Sequence, residues 1–284
     1  MKRLICLIML AVLISMAPRL QCLADDISFR FKLETIWKNY LQASKSGKEV
    51  EFEKAASSFL LATLKNNLAS AGRTMSPEMI ESISESAPDI SNARFVKVME
   101  KGPTAGLVYV KDAEWKDATG KPRVEFIFLK FVKEKGDWKV GGGMTVGGYK
   151  FAKNGKETEF DASTLTTPFL IDGKVPETPK AIAIPEVSGY LEADSYGYKT
   201  QVTVNGIEQK TTVNQSSSSL IKGGMRYGSN DIVIQFTRVT KEAPFKPSVK
   251  IRRILADNES KECFSFEPKE NIEGTHPLSF TIRK

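Results

Sequence analysis

The residues with the clearest chemical potential lie near the C-terminal end of the chain. Cys263 and the single histidine, His276, are thirteen positions apart. A thiol beside an imidazole can act as a nucleophile with its general base. Because Pro277 follows the histidine in a strand-rich region, we interpret the pair as a small buried thiol and an ordinary loop histidine. One histidine and one thiol do not supply the ligands of a usual zinc site.

Two further motifs fail on their spacing or surroundings. Ser219–Lys222 matches the Ser-x-x-Lys pattern of penicillin-recognising enzymes, but the chain has neither the Ser-Asp-Asn nor the Lys-Thr-Gly motif that completes such a site. Gly141–Gly143 and Gly147–Gly148 lack the spacing of a phosphate-binding loop and a following helix, so we predict a bulge or a sharp bend there. We therefore predict no catalytic residue, no cofactor and no metal site, and we expect that the protein is not an enzyme.

Aromatic residues offer the stronger candidate for a binding surface. In Arg123–Val132 (RVEFIFLKFV) both faces of the predicted strand are apolar, whereas a strand of an antiparallel sheet usually has one polar face. Each face therefore needs a cover: helices on one side, and another domain, a partner or a ligand on the other. A small apolar ligand in such a place would be lined by Trp37, Tyr40, Phe126, Phe128 and Trp138.

The alternative for these aromatic residues is an ordinary core. Trp138 lies on the strand that returns after the Glu134–Asp137 turn, opposite the middle of the apolar run. Aromatic and branched cross-strand pairs stabilise a hairpin by about 0.2–1 kcal/mol each. Core packing therefore accounts for the tryptophan without any ligand, and both interpretations stay open at this point.

The elements that would position these residues read as helices first and strands afterwards. Leu33 to Leu41 shows helical spacing, a second apolar stripe runs from Phe52 to Leu68, and Ser76-Pro77 opens a third helix with the serine as N-cap. From Asn92 the period changes to two. The predicted strands are Arg94–Met99, Gly106–Lys111, Arg123–Val132 and Trp138–Val146. Short turns between them predict an antiparallel meander with the helices on one face, which is an α+β layout.

The C-terminal part of the chain reads differently. Four prolines between Pro168 and Pro185 predict a linker or an extended strap after a tight hairpin at Asn154-Gly155. Beyond them only strands and turns are predicted, which suggests a β-sandwich, and the serine run Ser216–Ser219 is expected to be a solvated loop. The predicted divisions are 1–24, 25–150, 151–185 and 186–284, of which the second is the α+β domain and the last the sandwich.

The first domain resembles a nuclear-transport-factor-2-like domain. The resemblance rests on Tyr40–Ala43 followed by Ser46-Gly47-Lys48, and on the closing hairpin Phe131–Val140 (FVKEKGDWKV). It implies a cone, in which helices close a curved antiparallel sheet around a ligand, an active site or nothing. Enzymatic members hold an Asp–His pair in the cone, and this part of the chain has no histidine. Thr203–Gly206 and Gly228–Ile234 resemble accessory β-sandwich modules of exported proteins.

The N-terminus predicts export. Basic Lys2 and Arg3, an apolar run from Leu4 to Ala17 and small residues before Asp25 are the three parts of a signal peptide, residues 1–24. Its removal would leave one cysteine, Cys263, and would lower the formal net charge from +7 to +4, because three basic residues and no acidic one would be lost. That charge is too weak and too scattered to indicate a nucleic-acid partner, and we expect none.

These observations predict a periplasmic or extracellular protein of two domains. We expect a non-catalytic binding or interaction protein without a transmembrane segment after cleavage. Its partner would be a protein, a glycan or another envelope component. The first alternative is a protein that holds a small apolar ligand in the N-terminal cone, and the last is an enzyme.

Overall fold

The computed structural model describes residues 27–116, 122–149, 151–153, 156–158, 171–240, 246–255, 259–268 and 273–284. The predicted signal peptide lies outside these residues. The described chain is α+β, mostly β, with three antiparallel sheets and a separate two-stranded hairpin. Contacts divide it into two compact units. The N-terminal unit contains the described residues up to Leu61 and then Ser76–Thr178, and the C-terminal unit contains Ala62–Met75 and Pro179–Lys284.

The helices are α1 (27–45), α2 (Glu49–Ala55), α3 (Ser58–Ser70) and α4 (Pro77–Ser86). The strands of the N-terminal unit are β1 (Arg94–Lys101), β2 (Thr104–Lys116), β3 (Pro122–Glu134), β4 (Asp137–Tyr149), β5 (Phe151–Lys153) and β6 (Lys156–Thr158). Those of the C-terminal unit are β7 (Gly189–Asp194), β8 (Tyr198–Val204), β9 (Ile207–Glu208), β10 (Thr212–Val213), β11 (Ser216–Leu220), β12 (Gly228–Arg238), β13 (Ser248–Ile254), β14 (Ser260–Phe266) and β15 (Gly274–Ile282).

The second predicted helical stripe is divided in the structure. Ala56 has an extended backbone and forms a parallel bridge with Val140 of β4, and the amide of Ser57 donates to the Val140 carbonyl at 2.8 Å. The Ser57 hydroxyl then accepts from the amide of Leu60 and so caps α3. The prediction of one continuous stripe was wrong here, because backbone pairing with a distant strand outweighs helical spacing.

The predicted start of the third helix is confirmed. The Ser76 hydroxyl accepts from the amide of Met79 at 3.3 Å, and Pro77 occupies the first turn of α4. Ile80, on the inward side of this helix, is buried. The polar cap therefore fixes where the helix begins, and its apolar side fixes how it packs.

The four predicted strands form the expected meander in the order β1-β2-β3-β4, and all four are longer than predicted. The prediction of a bulge is confirmed at Gly141–Gly143, whereas Gly147 and Gly148 pair in regular register with Glu125 and Val124. Lys130 pairs with Gly142 and Phe131 pairs with Val140, so Gly141 is an extra residue in β4. Strands β5 and β6 pair as the predicted hairpin requires, and its turn at 154–155 lies outside the described residues.

The C-terminal unit has two antiparallel sheets, with the orders β10-β8-β12-β15 and β11-β7-β13-β14. One buried cluster takes side chains from both sheets, for example Val202 and Ile234 from the first and Leu191 and Ile251 from the second. The prediction that Ser216–Ser219 is a loop was wrong, because these residues form edge strand β11 and pair with β7. An edge strand with partly exposed side chains needs no apolar alternation, so the sequence gives little signal for it.

The segment 171–186 contains no helix or strand, and side chains hold it in place. Within the C-terminal unit, Asn66 of α3 accepts at Oδ1 from the amide of Ile182 at 2.9 Å and donates from Nδ2 to the carbonyl of Lys180 at 2.8 Å. The side-chain amide thus pairs with the chain as a neighbouring strand would. Asn66 itself is buried.

We expect Asn66→Ala to release this segment. The substitution would leave the Ile182 amide and the Lys180 carbonyl without their partner, which costs about 1–3 kcal/mol when such groups are buried. Hydrogen exchange of the Ile182 amide should therefore accelerate by tenfold or more. Asn67→Ala is the matched control, because Asn67 is the exposed neighbour on the same helix. Equal hydrogen-exchange rates of the Ile182 amide in both variants would show that the Asn66 side chain does not hold this segment.

Candidate functional site

The helix-covered face of the N-terminal sheet holds three of the five predicted site residues. Trp37 stacks on Tyr40 with ring centroids 5.4 Å apart, and Tyr40 packs against Phe52 at 5.3 Å. Gly143 of β4 lies directly beneath Trp37, since a Cβ there would come within 2.9 Å of Trp37 Cη2. The buried Trp37 Nε1 has no hydrogen-bond partner among the described residues. This face is a packed aromatic core.

Trp138, the third of these residues, is buried against α1. Its ring meets Phe29 edge to face with centroids 5.6 Å apart, and Lys133 Nζ lies 5.9 Å from its centroid. It also lines an open groove of about 560 Å³ beside Asn39 and Gln42 of α1 and Lys48. With 8% of its surface exposed, it serves mainly as a core residue.

Phe126 and Phe128 lie on the other face of the sheet. They form a buried cluster with Val108, Val110 and Val124, with Val96 and Met99 packed against it. Successive residues of a strand point to opposite faces, and Ile127 and Leu129, between and beyond these phenylalanines, are buried as well. The prediction that β3 is apolar on both faces is confirmed. The five aromatic residues therefore do not converge on one cavity.

A cavity opens on this second face. Its volume is about 200 Å³, and it is lined by Met99, Gly106, Leu107, Phe128, Leu129, Lys130, Gly141, Gly142, Gly143, Met144 and Ile171. Most of the wall is apolar, and Lys130 supplies the one charged side chain in that lining. Of the five predicted site residues only Phe128 contributes to it.

Glycines form part of the lining: Gly142 adjoins open space, whereas neighbouring side chains pack closely against Gly106. Gly106 of β2 faces the cavity, and a Cβ there would lie 3.1 Å from Ile171 Cδ1 and 3.3 Å from Met99 Cε. Gly142 has φ +144°, which disfavours any residue with a side chain. The sequence predicted a bulge or a sharp bend at the β4 glycines, and it did not identify Gly106, Met99, Met144 and Ile171 as lining residues. The surplus of glycine in an edge strand was the one available signal.

A polar cluster crosses from α1 to the sheet. The Tyr109 hydroxyl and Arg30 Nε both donate to Glu34 Oε1, at 2.6 and 2.7 Å, and the Arg30 guanidinium lies 4.0 Å from the ring centroid of Phe95. Burial, and then the hydrogen bond to Glu34, raises the pKa of Tyr109. Because the carboxylate is held by two donors and the phenol keeps its proton, we assign this cluster to anchoring α1.

The remaining chemical candidates, Cys263 and His276, lie in strands β14 and β15, so the prediction of a loop histidine was wrong. Cys263 is half-buried, its thiol donates to the carbonyl of Ile251 at 3.4 Å, and burial raises its pKa. His276 lies with its ring centroid 5.6 Å from that of Phe266 and 6.1 Å from that of Phe236. A thiol with a raised pKa is a poor nucleophile at neutral pH. Within the described ranges, histidine, cysteine and carboxylate side chains form no group of three that could hold a metal ion.

Tyr40 gives a pH-dependent test of the aromatic core. Burial raises its pKa to about 12, against an ordinary value of 10.0. Because the folded-state pKa is the higher one, the stabilisation is complete below pH 10 and is lost as the pH rises towards 12, by up to about 3 kcal/mol. We expect Tyr40→Phe to reduce this alkaline loss, measured by urea unfolding between pH 9 and 12. The exposed Tyr196→Phe is the control for removing a tyrosine hydroxyl outside this core.

The comparisons add no family to this description. No protein-family model, curated protein or solved structure matches the chain. In the part of the chain that the structure describes, every helix is too short or too polar to cross a membrane. The function must therefore be argued from the chain's own residues.

Proposed function

We propose that the chain is a non-catalytic binding protein whose N-terminal unit holds a small apolar ligand. The observation that carries the proposal is the cavity beneath β2, β3 and β4. Buried apolar side chains in a strand normally fill the space next to them, because protein interiors pack at nearly crystalline density. Here about 200 Å³ remains beside Phe128, and Gly142, which also lines it, leaves open space where a side chain would lie.

The size and chemistry of the cavity define the ligand class. An apolar cavity of about 150 Å³ is large enough to bind benzene. The wall combines Phe128, Ile171 and two methionines, whose flexible side chains adapt to different shapes. Lys130 and the backbone of Gly141–Gly143 are the polar groups within reach of a substituent. A single-ring or short-chain apolar compound with at most one polar group fits these properties.

The finer architecture belongs to the same proposal. We propose that the N-terminal unit is a cone similar to nuclear-transport-factor-2-like domains, which the four-stranded meander with helices against one face supports. The C-terminal unit would be a β-sandwich, and the buried cluster shared by its two sheets supports that. The five aromatic residues predicted as a ligand site would then divide their roles. Phe128 would contact the ligand, and Trp37, Tyr40, Phe126 and Trp138 would support the walls.

Export and partner binding extend the proposal. The signal-peptide pattern of residues 1–24 supports a periplasmic or extracellular location. The partner would be a protein, a glycan or an envelope component, which the C-terminal unit would contact. Two well-exposed tyrosines of that unit, Tyr190 and Tyr196, favour this second role, because tyrosine supplies a rigid contact surface with a polar tip.

Fluorobenzene is a suitable probe for the cavity. We expect the full chain to bind it, as observed by ¹⁹F NMR line broadening, and we expect Ile171→Trp to weaken binding at least tenfold, because the larger side chain would occupy the cavity. Val175→Trp is the matched control, since Val175 belongs to the same segment, is 41% exposed and does not line the cavity. Absence of fluorobenzene binding to the unmodified chain would refute the proposal.

A further inference from the structure

A second, polar groove lies in the C-terminal unit, at one end of the sheet that contains β7, β13 and β14. Its volume is about 620 Å³, within the range of small-molecule sites. The register of the strands brings its residues together. Asp194 at the end of β7 pairs with Ser248 at the start of β13. The next residue, Val249, pairs with Phe266 of β14, which precedes Glu267. Three neighbouring strands thus end at the same place.

The Asp194 carboxylate is held in position by two hydroxyls. Ser216 of β11 donates to Oδ1 at 2.5 Å, and Ser248 of β13 donates to Oδ2 at 3.2 Å. An ionised carboxylate has about four acceptor positions, and these two serines use two of them. The groove therefore contains a strong acceptor whose orientation is set before any ligand arrives, which reduces the entropy that binding must offset.

The charges around the groove are balanced. Asp194 and Glu267 are accompanied by Lys246 in the lining and by Lys250, whose Nζ lies 3.2 Å from Glu267 Oε1. Among the described residues around the groove, two carboxylates are thus balanced by two ammonium groups, and we expect no strong preference for an anion or a cation. It nevertheless offers charged donors and acceptors, which form stronger hydrogen bonds than neutral groups. A neutral ligand with many hydroxyl groups can use both kinds.

Apolar surface completes the groove. The Tyr196 side chain is 42% exposed and lines it, and the buried prolines Pro247 and Pro268 form further walls. A pyranose ring has hydroxyls at its edge and carbon-bound hydrogens on its faces. An exposed aromatic ring beside fixed hydrogen-bonding groups matches this pattern. The C–H hydrogens of the sugar carry a partial positive charge, and the face of an aromatic ring carries a partial negative one.

We propose that this groove binds a neutral sugar, from a monosaccharide to a trisaccharide. Asp194 would accept from sugar hydroxyls, the lysines would donate to them, and Tyr196 would contact a ring face. The inference specifies the partner class proposed for the C-terminal unit. It does not depend on the apolar cavity of the N-terminal unit, so either site can fail without the other.

The test uses the full chain and three neutral trisaccharides: maltotriose, cellotriose and N,N′,N″-triacetylchitotriose. We expect at least one of them to bind by isothermal titration calorimetry and to shift the amide resonances of Tyr196, Gly197 and Ser248. Tyr196→Ala and Asp194→Asn should each weaken that binding about tenfold or more. Tyr227→Ala is the matched control, since Tyr227 is 40% exposed and does not line the groove.

Several outcomes would overturn the proposal. One is that none of the three trisaccharides binds. Another is that Tyr196→Ala and Tyr227→Ala leave the affinity equally unchanged. A third is that the zwitterionic tripeptide Lys-Gly-Glu binds in the groove while the sugars do not, which would assign it to peptides. An unchanged urea-unfolding midpoint, and amide resonances unchanged away from the groove, show that Tyr196→Ala is folded whether or not fluorobenzene binds.

Discussion

Strand β3 has no face that can be left in water, and the N-terminal unit is organised around that constraint. Ile127, Leu129 and Phe131 are buried against the helices, while Val124, Phe126 and Phe128 are buried on the opposite side. Burying a large apolar side chain is worth about 1.5–3 kcal/mol, so both faces must be covered. The helices satisfy one face completely. The other is closed less tightly, because glycines stand where neighbouring strands would normally supply side chains.

Much of this fold could be predicted from local pattern alone. Period-two alternation gave the four-stranded meander, and a serine followed by proline marked the start of α4. The failures have a common cause. Ala56 interrupts a regular apolar stripe because it bridges to Val140, 84 positions later in the chain. Ser216–Leu220 becomes a strand through pairing with β7. In both places a long-range backbone partner decides the local structure, and the sequence does not reveal such a partner.

The candidate sites were only partly predictable for a related reason. Aromatic residues are easy to recognise, and all five predicted here are buried, but strand alternation divides them between two faces. The cavity depends instead on Gly106 and on Ile171, which are 65 positions apart and meet only after folding. The polar groove likewise combines the ends of three strands with a turn tyrosine. A site that is formed by glycines or by the ends of several strands leaves no short motif in the sequence.

The bulge in β4 has a consequence for how the chain tolerates changes in length. Gly141 is the surplus residue opposite Lys130 and Phe131. A deletion of this glycine would straighten the strand and still leave Gly143 beneath Trp37 and Met144 towards the cavity. A deletion between Gly143 and Val146 would turn every following side chain to the opposite face. Among relatives of different length, position 141 is therefore where a missing residue in this strand would be compatible with an unchanged pocket.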